Sequence, residues 1–191
     1  MQTLYTPVST LYEIKQSKFF ANLVPYSEFE ATLERLKSEH PKARHFVTAF
    51  RYLNEHAQVV EGSSDDGEPK GTSGKPSLAV LAGNDLINVA AITVRYFGGT
   101  KLGTGGLARA YTQALSDAVA RAETVPYVFR KSARFECAYS DVKRVEYELK
   151  QAHITGADKS YEADKVVWKI EASEKALDRF FSSIGRHIRK I

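Results

Sequence analysis

This 191-residue chain is sparing with several residues that usually announce function. It has one cysteine, one methionine and one tryptophan. A lone cysteine excludes an internal disulfide, and its setting, Arg134-Phe-Glu-Cys137-Ala-Tyr-Ser, alternates like a strand and points to a buried, inert thiol. No apolar run approaches the roughly eighteen residues of a spanning helix. The N-terminus lacks the basic start and apolar stretch of a signal peptide. These absences point to a soluble protein of a reducing compartment, with a cytoplasmic location and no membrane partner expected.

Familiar catalytic signatures are missing too. Gly98 and Gly103 have the outer spacing of a P-loop, but Thr104-Gly105 follow where Lys-Ser or Lys-Thr is required. Gly103-Thr-Gly105-Gly-Leu-Ala108 imitates a dinucleotide fingerprint, yet no strand follows to carry the acidic residue, so the βαβ context is lacking. There is no G-x-S-x-G, no HExxH and no cysteine pair for zinc. Neither a metal nor a cofactor is expected.

What the chain does have is glycine, concentrated in two places. Nine of its twelve glycines lie in residues 62–76, GSSDDGEPKGTSGKP, and residues 95–109, RYFGGTKLGTGGLAR. Glycine weakens helix and strand interiors, so this placement marks loops of special geometry. The first loop carries Asp65, Asp66 and Glu68, and the second carries Arg95, Lys101 and Arg109. Opposite charge predicts that the loops meet, with Asp65 or Asp66 within reach of Lys101 or of the helix start near Gly105-Gly106.

Two readings of that meeting stay open. In one, Gly98, Gly99, Gly103, Gly105 and Gly106 present backbone N–H groups to a phosphate or carboxylate, helped by the helix dipole and by Arg95, Lys101 and Arg109. In the other, an acidic side chain of the first loop plugs that place. Asp65, Asp66 and Glu68 are hard oxygen ligands, but their spacing does not match a calcium loop. They join His45 as catalytic candidates, with His56 a weaker one.

The pattern along the chain suggests two domains. A strand is expected within 11–25, then a helix capped by Ser27 and Glu30 as a capping box, with Phe29, Leu33 and Leu36 inward. Residues 43–53 read as a strand with His45, Val47, Ala49 and Arg51 on one face. A short helix over 76–86, a central apolar strand over 89–97 and a long helix over 107–122 follow. Near Val125-Pro126 the pattern restarts as strand (127–138), helix (to 152), two strands (154–161, 165–172) and a helix capped by Ser173, a small split α+β sandwich. The expected domains are 1–125 and 126–191. Residues 1–125 hold 13 cations and 13 anions, whereas 126–191 hold 14 and 10. The basic C-terminal third, Arg186, Arg189 and Lys190 above all, is the expected nucleic-acid contact.

The segments SSDDGEPKGTSGKP and ITVRYFGGTKLGTGGLARAY are similar to the signature of the IMPACT family, in its bacterial YigZ-type form. The similarity covers about residues 15–122 as the IMPACT domain, and the rest resembles the C-terminal domain of the bacterial members. The resemblance implies an α+β chain. Its N-terminal α/β domain would be like the second domain of small-subunit ribosomal protein five. Its C-terminal domain would be ferredoxin-like, as in the last domain of elongation factor G. It also implies a translation-associated binding role, with RNA, the ribosome or a phosphate-bearing ligand as partner. The rival is a small-molecule enzyme acting on a phosphorylated or carboxylated substrate, with Asp65, Asp66, Glu68, His45 and Lys101 converging.

Overall fold

The computed structural model describes residues 1–191, which divide into two compact units, Met1–Tyr127 and Val128–Ile191. The fold is mixed α/β, with three sheets and five α-helices. No helix is long and apolar enough to cross a membrane.

The first unit is built on a five-stranded antiparallel sheet. Its strands are β2 (Val8–Ile14), β3 (Ser17–Pro25), β4 (His45–Leu53), β5 (Val59–Ser64) and β6 (Val89–Tyr96), in the order β2-β3-β6-β4-β5. A short pair, β1 (Gln2–Thr3) with β7 (Val125–Pro126), ties the ends of the unit together. β6 is central and buried almost throughout, which suits its unbroken run of apolar and β-branched residues. Alternation then splits the core. Phe19, Ala21, Val47, Ala49, Val89 and Ala91 face the helices α2 (Gly74–Gly83) and α3 (Gly103–Arg121). Val24, Ala90, Ile92 and Val94 face α1 (Phe29–Glu39), where Leu36 is buried and Phe29 and Leu33 half-buried.

The connections set the site. Because β4 and β6 are antiparallel, β6 finishes where β4 begins, with Arg95 opposite His45. β5 finishes at that same end, with Ser64 opposite Thr48. So α2, which follows β5, and α3, which follows β6, both start there.

Several features of this unit differ from the sequence expectation. Residues 11–25 hold a β2–β3 hairpin rather than one strand; Lys15 and Gln16 turn it with φ of 46° and 62°. Such a tight turn normally shows Asn or Gly, so Lys-Gln gives no signal. The Ser27–Glu30 capping box does not form: Tyr26–Glu28 is a 3-10 turn and α1 starts at Phe29 without a side-chain cap. The acidic segment begins inside β5, where Gly62 is the only residue that leaves room for the Phe50 ring; a Cβ there would lie 2.2 Å from Phe50 Cζ.

The second unit contains β8 (Arg130–Cys137), α4 (Val142–Gln151), β9 (Asp158–Tyr161), β10 (Val166–Ser173), α5 (Glu174–Ile184) and β11 (Arg189–Lys190). Its antiparallel sheet runs β11-β8-β10-β9, a doubled split β-α-β pattern that the unexpected short β11 completes. Phe135, Trp168, Phe180, Val145 and Leu149 form its core. Ser173 caps α5 as expected, accepting from the Ala176 N–H at 3.3 Å. Asp141 precedes α4 but leaves it uncapped, its carboxylate instead meeting His187 Nδ1 at 3.0 Å. Cys137 is buried, accepts a contact from Trp168 Nε1–H at 3.3 Å, and burial pushes its thiol up.

Candidate functional site

The two glycine-rich segments do meet, but through different residues than their order suggests. Glu68 is the carboxylate that crosses over. It is 8% exposed and accepts from Arg95 Nη1 at 2.6 Å and from the Tyr111 hydroxyl at 2.8 Å. Arg95 is the penultimate residue of the strand β6 and Tyr111 belongs to α3, so one buried carboxylate joins strand, loop and helix. The guanidinium also lies over the Phe19 and Phe97 rings, 5.4 and 5.8 Å from their centroids. Its Nε is buried with no hydrogen-bond partner. Burial, then the adjacent Glu68 charge, pushes the Tyr111 phenol above its ordinary range, so it stays a neutral donor. Tyr111 lies within the helix expected over 107–122 but was not among the expected site residues; the available signal was a tyrosine at a buried position, whose hydroxyl needs a partner.

Asp65 and Asp66 turn elsewhere. The Asp65 carboxylate accepts from the N–H groups of Gly71 (2.7 Å), Ser73 (3.0 Å) and Gly74 (2.8 Å) and from the Ser73 hydroxyl (2.7 Å). It is the anion at the N-terminus of α2. Burial works against its charge, but these four donors outweigh burial and lower its carboxyl to about 2. Asp66 accepts from the Phe46 N–H at 2.6 Å through its side chain, and its backbone carbonyl meets His45 Nδ1 at 2.8 Å. That contact assigns the proton of a neutral His45 to Nδ1 and leaves Nε2 as the acceptor. Neither Asp65 nor Asp66 makes a hydrogen bond or ion pair with Lys101 or with the start of α3, where one of them was expected within reach; the direct cross-loop contact is made by Glu68. Across Gly67, whose φ is 82°, Asp66 is exposed and Glu68 is buried. Each carboxylate has its own partners, so the three do not converge as a cation cage would require.

The basic loop is held by one close approach. A Cβ on Gly98 would lie 2.0 Å from the Gln16 carbonyl carbon, and the Gly98 N–H donates to Ser17 Oγ at 3.0 Å. Gly99 and Gly103 adopt φ of 88° and 72°, which favours glycine. α3 then starts at Gly103, four residues before the expected start at 107, so Gly103, Gly105 and Gly106 form part of its first turn. That turn has no side-chain cap and no acidic residue. Lys101 and Arg109 are exposed and neither forms an ion pair with a carboxylate of the chain. Arg109 folds back along the helix, its Nη1 3.5 Å from where a Gly105 Cβ would stand. The start of α3 thus has free N–H groups and cations, whereas the start of α2 holds Asp65. Arg95, by contrast, is already engaged by Glu68.

The C-terminal trio is less free than its sequence implies. Arg189 is paired with Glu136 at 2.6 Å, and Lys190 Nζ lies over the Phe181 ring at 3.8 Å. Arg186 and Lys190 are both exposed with no ion-pair partner.

Comparison with known proteins places these features in context. The Impact N-terminal domain matches residues 15–119. An IMPACT family member of Haemophilus influenzae is 34% identical over 90% of this chain and 84% of that protein. IMPACT family member YigZ of Escherichia coli is 36% identical over 82% of this chain and 78% of its own length. Among solved structures, a hypothetical protein aligns with TM-score 0.71 and 31% identity, covering 96% of this chain and 90% of the other.

Proposed function

Since the chain belongs to the IMPACT family, we propose that it is a translation-associated binding protein. Its N-terminal glycine loops take up an anion, the phosphate of RNA, of the ribosome or of a phosphate-bearing ligand. The observation that carries this reading is the start of α3: a glycine first turn with no cap and no acid, flanked by exposed, unpaired Lys101 and Arg109. Free N–H groups, the helix dipole and two cations are the ingredients of phosphate binding. The strand order β11-β8-β10-β9 supports a ferredoxin-like second unit of the kind that ends elongation factor G. The first unit, with helices on both faces of its sheet, is read as the fold of the second domain of ribosomal protein five. The place of action is the cytoplasm.

Thermal melts of the intact protein test this, in phosphate or sulfate against chloride of equal ionic strength. A ligand that binds only the folded state raises the melting temperature by mass action. Phosphate should raise it, and Lys101→Ala should remove the increase while leaving the ligand-free melt unchanged. No increase in the unsubstituted protein refutes the anion site.

A second reading, an enzyme acting on a phosphorylated or carboxylated small molecule, is favoured by His45. Its ring is oriented by the Asp66 carbonyl, leaves Nε2 as a base, and stands across the sheet from Arg95. Turnover of such a substrate that is lost in His45→Gln would select it.

A further inference from the structure

Sequence charge assigns the basic surface to the C-terminal third, but the first unit carries a basic end of its own. In the second unit, Lys131, Lys159, Lys165, Lys169 and Arg189 are each matched by a carboxylate, while other cations, Arg186 and Lys190 among them, are exposed and unpaired. In the first unit, which nets to zero, the charges are sorted by position. Lys15 sits in the β2–β3 turn, against which Gly98 packs. Arg44 immediately precedes β4, Lys70 lies in the loop that Asp65 closes, and Lys75 is in the first turn of α2. With Lys101 and Arg109, these are six exposed cations at the end of the sheet where β4 begins and β6 finishes, none paired with a carboxylate. The acids of that end are occupied: Glu68 is buried on Arg95, Asp65 and Asp66 hold backbone N–H groups, and Glu13 is paired with Lys18. At the opposite end, Glu28, Glu30, Glu55 and Glu123 are exposed, with Arg121 the one unpaired cation among them. The unit is therefore electrically polar despite its zero net charge.

One further residue decides what such an end can bind. Phe97 opens the basic loop and is 58% exposed, with one face toward Arg95 and the rest toward solvent. An exposed aromatic ring among cations that follow an edge is the arrangement on which single-stranded nucleic acids bind, bases stacking while phosphates meet Lys and Arg. We infer that this end of the first unit is a single-stranded RNA surface. Lys15, Arg44, Lys70 and Lys75 extend the phosphate contacts beyond the α3 site, Phe97 stacks a base, and the C-terminal tail is a minor contributor. The inference rests on the binding role proposed above but adds residues outside the start of α3, so the two can fail separately.

The test is fluorescence anisotropy of a labelled oligouridylate with the intact protein across a salt series. For single strands the logarithmic salt slope changes by about 0.7 per phosphate contact. The combined variant Lys15→Ala, Arg44→Ala, Lys70→Ala, Lys75→Ala should flatten the slope by up to about 3, with its melt and its phosphate-induced stabilisation retained. Arg186→Ala, Arg189→Ala, Lys190→Ala should flatten it by no more than about 1.4, the two contacts open to Arg186 and Lys190. Phe97→Ala should weaken binding at least about 5-fold at every salt concentration without altering the slope. Absence of RNA binding, with phosphate stabilisation intact, overturns this surface and leaves the small-anion site standing. An unchanged slope in the four-residue variant, or a larger change in the C-terminal one, also overturns it. So does equal affinity for polyglutamate, which would make the partner an acidic protein.

Discussion

Replacing Asp65 by alanine removes one acceptor that serves four donors, the N–H groups of Gly71, Ser73 and Gly74 and the Ser73 hydroxyl. Ser73 and Gly74 are buried, so water reaches the freed groups poorly. Loss of a helix N-cap costs about 0.5–2 kcal/mol, and a donor left buried and unpaired about 1–3 kcal/mol. Partial exposure of Asp65 itself lets water recover some of this, so about 2–3 kcal/mol is expected. An independent route gives a similar figure. A carboxyl lowered from 3.8 to about 2 corresponds to about 2 kcal/mol at 1.36 kcal/mol per unit, once discounted for that exposure. For a unit of 127 residues the melting point should fall by about 6–10 °C. The sign of the pH effect follows from the depressed value. The contribution is fully present above the unfolded carboxyl pKa near 4, and is lost as pH falls toward 2. Asp65→Ala should therefore lose less stability than the unsubstituted protein between pH 4 and pH 2. Circular dichroism melts across that range measure both effects. The single tryptophan, Trp168, lies in the second unit, so its fluorescence transition should stay unmoved if the units fold independently. A cost below about 0.5 kcal/mol, or an unchanged acid limb, would refute the capping argument.

Glu68→Ala leaves Arg95 buried without its counter-charge and should cost about 3–5 kcal/mol in urea unfolding. Tyr111→Phe removes only a hydrogen bond to a charged group and should cost about 1.5–3 kcal/mol; equal costs would mean the ion pair contributes nothing beyond the hydroxyl. Gly98→Ala drives a Cβ into the Gln16 backbone and should destabilise by at least about 1–3 kcal/mol. Gly83→Ala, at the end of α2 with nothing within 4 Å, should be neutral or stabilise by up to about 1 kcal/mol; the reverse order in thermal melts contradicts the packing.

The sequence carried the helices, the central strand and the second unit well, because their signals are local. β6 is a β-branched run, α3 an apolar stripe, and Ser173 a true cap. The Lys15-Gln16 turn, the edge strand β5 and the short β11 were illegible because pairing with neighbours, not local composition, makes them strands. The start of α3 was placed too late because glycines argue against helix; here they form its first turn. The meeting of the two loops was legible from charge and glycine, but not which carboxylate makes it. That choice depends on the turn at Gly67 and on a tyrosine buried one element away.

The most direct test of the anion site is a phosphate titration of the isotopically labelled intact protein, followed by amide nitrogen–proton spectra. The amides of Gly103, Thr104, Gly105 and Gly106 should shift in a saturable way, while those of Gly71, Ser73 and Gly74, already held by Asp65, should stay in place. Shifts confined to Arg186–Lys190, or none at the start of α3, would contradict the account.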